Sequence, residues 1–407
     1  RANLQKRDPY RLERMSATAG KILIDGNAAA AMGAMFGGVT VATWYPITPS
    51  SSLIESLIGY LERYRRDSQT GRATFAVVQA EDEIAAIGMA LGAGWAGARA
   101  MTSTSGPGIS LMAEFTGYAY YAEIPAVVWD IQGVGPSTGL PTRTAQGDVQ
   151  FVHSLSHGDT RHVVLFPSSV RDCFDFGLQA FDLAERLQTP IFVLSDLDLG
   201  MNNWMSDPFP YPEKPWDRGK VLHEQELAAL PSFERYRDVD GDGIPYRTLP
   251  GVRDSKGAYF TRGSGHDEGA RYTESADVYP RVMDRLAKKY ETARTLVPAP
   301  VIEHEEGAEI GFLAFGSTHW AMVEARDRLA SRGLKSSYLL LKALPFSAEV
   351  PRFLERHSRI YVVVPRFATR IRSARHYTGL PITAGFVTGE VTRQEAETAP
   401  VAEGMMR

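Results

Sequence analysis

Six short apolar runs separated by helical patterns constrain this chain more than any other feature. The runs are "KILI" (21–24), "TFAVVQ" (74–79), "ARAMTST" (98–104), "PAVVWDI" (125–131), "RHVVLF" (161–166) and "PIFVLSD" (190–196). Helical spacing fills the intervals near 26–37, 49–67, 83–96, 108–122 and 168–187. Strands that read as continuous apolar runs, rather than alternating ones, are buried on both faces. Such strands alternating with helices predict an α/β fold with a parallel sheet and sites at the carboxyl ends of its strands.

The rhythm fails from about Trp204 to Pro300, where Pro, Gly, Asp, Arg and Tyr accumulate and only 274–294 reads as a clear helix. We read 204–298 as a connecting arm, because long irregular segments in compact proteins are usually functional or pack on a partner. The rhythm resumes with "EIGFLAF" (309–315), a helix at 318–332, "KSSYLLL" (335–341), a helix at 347–357 and "RIYVVV" (359–364). The expected organisation is a linker over 1–19, an α/β domain over 20–203, the arm, and a smaller α/β domain over 299–407 with a frayed end.

Bulk properties narrow the function. A chain of 407 residues exceeds one ordinary core. Its formal net charge of -4 argues against a nucleic-acid or anionic-membrane surface as the main partner. No apolar run is long enough to span a bilayer. The single cysteine, Cys173, can form no internal disulfide and cannot by itself ligate a four-cysteine cluster, which fits a cytoplasmic protein. Cys173 falls within a helical stretch and is expected to pack as a small hydrophobe.

Three junctions carry candidate chemistry. In "YPITPSSSLIESLIGYLERY", Pro49 suits a first helical position and Thr48 the N-cap before it. The same helix N-terminus would suit an anionic substrate group. In "VVQAEDEIAAIGMALGAG", acidic residues 81–83 follow a strand. Asp82 and Glu83 read as first-turn complements to the helix dipole, whereas Glu81 stands at the corner where a carboxylate can face a cleft. In "TSTSGPGIS", Gly106, Pro107 and Gly108 allow close backbone approach but match neither the P-loop nor the dinucleotide fingerprint.

The Glu after one strand and "TSGPG" after the next together resemble the pyrimidine-binding domain of thiamine-diphosphate enzymes. With "YPITPSS", "QAEDEIAAIGMALGAG", "TSGPGISLMAEFTGYAYYAEIPAVVWD" and "GPSTGLPTRTAQGD" in this order, residues 20–200 resemble the alpha subunit of 2-oxoacid:ferredoxin oxidoreductases, in their 2-oxoglutarate-type branch. The resemblance implies a transketolase-C-terminal-like second domain. It makes Glu81 the carboxylate that bonds the aminopyrimidine ring and promotes deprotonation of the thiazolium carbon, with Pro46, Ser105, Gly106 and Pro107 lining the cofactor. It places Thr48, Ser137 and Thr138 at the substrate and makes Arg143 the bidentate carboxylate ligand. Where many relatives carry an Arg ahead of "GPSTG", this chain has Gly133.

Diphosphate-binding thiamine enzymes use "GDG" followed some two dozen residues later by Asn. "DVDGDGIP" (238–245) is present, but no Asn follows Asn203. As a calcium loop it also fails, since its twelfth position is Leu249 rather than Glu. The resemblance therefore implies that the diphosphate, Mg²⁺ and a 4Fe–4S cluster lie on a partner beta subunit. It further implies a gamma domain preceding the 1–19 linker, a dimer of heteromers, and ferredoxin and coenzyme A as reactants. The expected reaction is oxidative decarboxylation of a 2-oxoacid, reversible in this family as carboxylation. The alternatives are a subunit of a non-redox thiamine-dependent decarboxylase, or a non-catalytic scaffold of the same fold. His153 and His157 show no metal spacing, and "LAFGSTHWAM" (313–322) reads as a structural or partner-facing turn.

Overall fold

The computed structural model describes residues 15–364. Most of the 1–19 linker and everything expected after Val364 lie outside the described residues. In chain order, the first part contains β1 (Ile22–Asp25), α1 (Gly26–Phe36), β2 (Val41–Trp44), α2 (Ser51–Tyr64), β3 (Ala76–Gln79), α3 (Glu83–Trp95), β4 (Ala100–Thr104), α4 (Gly106–Leu111) and α5 (Ala113–Ala122). It continues with β5 (Ala126–Val134), β6 (Leu140–Thr144), α6 (Val149–His153), β7 (Val163–Leu165), α7 (Val170–Leu187), β8 (Pro190–Asp196), α8 (Leu197–Met201) and β9 (Asn203–Ser206).

The sheet at the centre runs β7-β8-β5-β4-β2-β3, all parallel, with β6 pairing antiparallel to β5. The parallel reading is correct in kind, with two differences. "KILI" forms β1, which leaves the main sheet and pairs antiparallel with β9 as a two-stranded ribbon. Its place in the sheet is taken by β2, a four-residue strand absent from the runs singled out in the sequence.

Alternate residues along β5 serve two cores. Val127, Trp129 and Ile131 pack with α1, α2 and α7 on one face, and Ala126 and Val128 with α3 and α5 on the other. The first face depends on small residues. A Cβ on Gly33 of α1 would lie 2.1 Å from the Phe174 carbonyl oxygen, and one on Gly177 of α7 would lie 2.6 Å from that of Ala30. Cys173 is wholly buried here, as expected, and burial pushes its thiol well above the usual range.

Residues 204–298 contain α9 (Glu224–Ala229) and α10 (Val278–Ala293) and are tied down by buried charge. Glu185 of α7 takes Arg99 at 2.9 Å, Arg218 at 3.1 Å and Arg247 at 3.4 Å. Glu123, after α5, takes Arg285 at 2.5 Å and Lys289 at 2.8 Å, both from α10. The "DVDGDG" turn closes on itself. Asp238 accepts from the backbone N–H groups of Gly241, Asp242 and Gly243, and Lys220 bonds Asp240 and Asp242.

The last part comprises β10 (Val301–Glu303), β11 (Ile310–Phe315), α11 (Thr318–Ala330), β12 (Ser336–Leu341), β13 (Ala343–Leu344), α12 (Glu349–Glu355) and β14 (Arg359–Val363). A four-stranded sheet runs β10-β12-β11-β14. Its face, through Leu313, Leu339 and Ile360, shares the second core of the main sheet. β13 pairs antiparallel with β7, so this part adds a strand to the first sheet. Lys342 seals the joint, meeting Asp172 at 2.5 Å and Ser168 at 2.7 Å. Among the described residues no helix is long and apolar enough to cross a membrane.

Candidate functional site

Three neighbouring strands, in the order β4-β2-β3, deliver the candidate residues to one crest of the sheet. β2 leaves Trp44 into "YPITPS", where Tyr45, Pro46 and Thr48 are exposed and Pro49 and Ser50 buried. The backbone N–H groups of Ser50 and Ser51 both donate to the Ile47 carbonyl, at 2.8 and 3.1 Å. Ser51 Oγ accepts from the Ile47 N–H at 3.0 Å. The helix therefore begins at Ser51, and the expected N-cap role of Thr48 is wrong, because the 47–50 turn intervenes. Asn27 of α1 pins the turn by donating to the Pro49 carbonyl at 3.0 Å and Ser52 Oγ at 2.8 Å.

The three acidic residues after β3 divide their roles. Glu81 is exposed at the corner. Asp82 caps α3, its Oδ1 accepting from the Ala85 N–H at 2.7 Å. Glu83 turns inward, and burial raises its carboxyl above the ordinary range. A Cβ on Gly108 would meet Glu83 Cγ at 2.7 Å and Thr104 Oγ1 at 1.9 Å, so the second glycine of "GPG" is fixed by the residue expected only to complement a dipole. Ser105 is buried at the start of α4, with Gly106 and Pro107 half-buried beside it.

β5 extends past the crest and returns as β6, and this hairpin carries Ser137, Thr138 and Arg143, all exposed. Gly139, at φ 47°, has no alternative residue, since a Cβ would lie 1.8 Å from the Val134 carbonyl oxygen. Arg143 Nη1 donates to the Thr142 carbonyl at 3.4 Å. Gly133 faces Ser105, whose Oγ would be 3.6 Å from a Cβ there, an ordinary contact that leaves room for a side chain. Pro46, Thr48, Glu81 and Ser105–Pro107 thus share the ends of adjacent strands. The hairpin residues rise beside them from the next strand, β5.

Several residues at this crest escaped the sequence reading. Asp130, wholly buried, and Asp148, half-buried, bring two carboxyl groups together near Gly106. Gln146 bonds Asp196 at 3.2 Å and the Phe315 carbonyl at 3.3 Å. Ser317, in the "FGST" turn, donates to Asp196 at 2.5 Å, so that turn faces the main sheet. The available signal was an Asp inside the apolar run "AVVWDI", since an acid is seldom fully buried unless partnered. His153 is buried, and burial brings its imidazole down to about 4, whereas His157 is exposed. Among the described residues no three His, Cys, Asp or Glu side chains gather to hold a metal ion.

A parallel sheet whose crest presents an exposed carboxylate between two tight turns defines an α/β protein with a candidate site at its strand ends. Residues 32–217 match the family described as pyruvate flavodoxin/ferredoxin oxidoreductase, thiamine diphosphate-binding. The 2-oxoglutarate synthase subunit KorA of Methanothermobacter thermautotrophicus is 35% identical over 344 residues, covering 84% of this chain and 86% of that protein. The 2-oxoacid:ferredoxin oxidoreductase subunit alpha of Saccharolobus solfataricus is 33% identical over 357 residues, covering 85% of this chain but 55% of that one. A solved structure of 2-oxoglutarate:ferredoxin oxidoreductase from Magnetococcus marinus, with 2-oxoglutarate, coenzyme A and succinyl-CoA bound, aligns with a TM-score of 0.84 at 28% identity. It covers 95% of this chain and 66% of that one. The chain belongs to the family of 2-oxoacid:ferredoxin oxidoreductase alpha subunits. It spans about half the length of relatives such as the Saccharolobus protein and most of the length of KorA.

Proposed function

We propose that this chain is the alpha subunit of a 2-oxoglutarate:ferredoxin oxidoreductase, contributing the pyrimidine half of a thiamine-diphosphate site and a wall of the substrate pocket. The observation that carries the reading is the exposed Glu81 at the β3 exit, flanked on adjacent strands by Pro46 and by the Ser105–Pro107 turn. These residues fit the group. An exposed carboxylate can accept a ring N–H, and the glycine-rich turn leaves backbone open to a flat ring. When bound, thiamine diphosphate supplies the carbanion chemistry that decarboxylates a 2-oxoacid.

Glu81 would hold and release the proton at the aminopyrimidine ring, as a positioned carboxylate does in general acid–base catalysis. Thr48 would donate its hydroxyl to the substrate, and Arg143 would grip a substrate carboxylate through two parallel N–H bonds. Ser137 and Thr138 would line the same wall. The diphosphate, Mg²⁺ and 4Fe–4S cluster belong to a beta subunit in this reading. The self-satisfied "DVDGDG" turn and the burial of the single cysteine support that division. A gamma domain, ferredoxin, coenzyme A, assembly as a dimer of heteromers and a cytoplasmic setting complete the proposal. Its domain division remains 20–203, 204–298 and 299–407.

The test is co-expression with a beta subunit and assay of ferredoxin or viologen reduction. Reduction that requires 2-oxoglutarate, coenzyme A and added thiamine diphosphate is expected. Decarboxylation without electron transfer would favour a non-redox decarboxylase, and no thiamine-dependent turnover with any 2-oxoacid would favour a scaffold.

A further inference from the structure

The hairpin bearing Ser137, Thr138 and Arg143 is exposed at its tip and buried at its base. Two side chains hold its return limb. Gln146 reaches Asp196 and the Phe315 carbonyl. Asp148 donates its backbone N–H to Gln132 Oε1 at 3.1 Å and turns its carboxyl group toward that of Asp130. Asp130 lies in the middle of β5 and is wholly buried. Among the described residues, neither of its oxygens nor Asp148 Oδ2 finds a hydrogen-bond donor. Gly106 covers Asp148, since a Cβ there would lie 3.0 Å from Asp148 Oδ2 and 3.4 Å from Oδ1.

Among the described residues, the groups around the pair supply no countercharge. β4 presents Thr104, the register partner of Asp130, and α4 presents Gly106. β8 brings Asp196, whose carboxylate already accepts from Ser317, Gln146 and the Leu199 N–H. α3 brings Glu83, which faces Gly108. α6 brings His153 at its far end, against the His162 carbonyl. β6 brings Arg143 on the exposed side. Two neighbouring carboxyl groups, one wholly and one half buried, with no cation beside them, resist ionising together. They attract while they share a proton and repel once they lose it. Burial first, and then the neighbouring Asp148, push Asp130 well up, while burial pushes Asp148 up to about 6.

We propose that one proton shared by Asp130 and Asp148 latches the base of this hairpin beneath the "TSGPG" turn, making both acids positioning residues for the wall that carries Arg143. The functional arm of this inference rests on the reading of that wall as the substrate's. Because both acids titrate above their ordinary range in the folded chain, the latch holds at low and neutral pH. It is lost as pH rises through the release of the last proton. Asp130→Asn replaces the proton with a permanent amide donor to Asp148 and makes the latch insensitive to pH.

Hydrogen exchange of residues 133–148 in the complex with its partner subunit, corrected for intrinsic rate between pH 6 and pH 10, tests this directly. Protection in the wild type should fall at least tenfold across that range while β8 stays protected, and D130N should be flat. KM for 2-oxoglutarate, rather than kcat, should rise along the same limb in the wild type and remain flat in D130N. Constant wild-type protection, or a wild-type pH dependence in D130N, overturns the latch. If D130N does not fold, D148N offers the same donor from the other side and must also be flat, and the wild-type exchange decides without any variant. Exchange that responds to pH without a response in KM leaves the latch standing and removes the hairpin from the substrate site.

Discussion

Glu81, Asp82 and Glu83 are consecutive acids with three different fates, and the corner between β3 and α3 assigns them. Asp82 spends its charge on the helix N-terminus and Glu83 is buried against Gly108, which leaves Glu81 alone facing out. Glu81→Gln should therefore leave the unfolding free energy within about 0.5 kcal/mol of wild type, as for an exposed substitution. It should lower kcat of the assembled enzyme about 100-fold or more, the scale of a lost acid–base group. Near-normal turnover would remove Glu81 from the site. Thr48→Val separates a cap from a substrate contact in the same way. Since Thr48 caps nothing, stability should change by less than about 0.5 kcal/mol, while KM for the 2-oxoacid rises. A loss near the ~1 kcal/mol typical of a missing N-cap, with unchanged KM, would restore the cap and remove the contact.

At the scale of elements, two devices hold the crest in place. The first is the contact of α1 with α7, where glycines let the helix backbones touch. Gly177→Val would force a side chain into the Ala30 carbonyl and the Gly33 Cα, and should cost about 1–3 kcal/mol or more in denaturant titration. The second is Glu123 beneath α10. Burial alone would raise its carboxyl, but Arg285 and Lys289 outweigh burial and hold it at about 2. A depressed carboxyl contributes stability that is present above its unfolded value and lost as pH falls toward the folded one. The contribution of Glu123 is thus complete at neutral pH and disappears between roughly pH 4 and pH 2. Glu123→Gln leaves two buried cations unpaired and should cost about 3–5 kcal/mol at pH 7. The gap between mutant and wild-type unfolding midpoints should narrow on acidification to pH 2–3. A gap independent of pH would show that Glu123 acts through packing alone.

Across the whole molecule, the crest is open, with Glu81, Thr48 and Arg143 all exposed in this chain by itself. If this crest is half of a cleft, as proposed, it binds weakly alone, because the ligand keeps one face in water and the enclosing groups are missing. Calorimetry should therefore find no thiamine-diphosphate binding to the isolated chain at micromolar concentrations, and binding once a beta subunit is added. Saturable binding to the isolated chain would place the diphosphate site here. The second sheet matters at this scale too. Its β13 completes the edge of the first sheet, and its "FGST" turn reaches Asp196 beside the hairpin base.

Local pattern was enough to establish the parallel α/β architecture, because strands buried on both faces must be apolar throughout and the helices between them must carry an apolar stripe. The same local signals marked Glu81 and the glycine turn, since a strand ending in an acid or a "GPG" is visible one residue at a time. "KILI" shows the limit. It has a strand's composition, but only the partner offered by β9, some 180 residues later, decided that it stands outside the main sheet. Thr48 likewise fits a cap by type and spacing, yet the 47–50 turn and Asn27 from α1 shifted the helix start to Ser51. The pairing of Asp130 with Asp148, and the reach of Gln146 and Ser317 to Asp196, were decided by tertiary structure alone. Burial and countercharge belong to neighbours distant in sequence, and an acid's chemistry follows from what surrounds it rather than from where it stands in the chain.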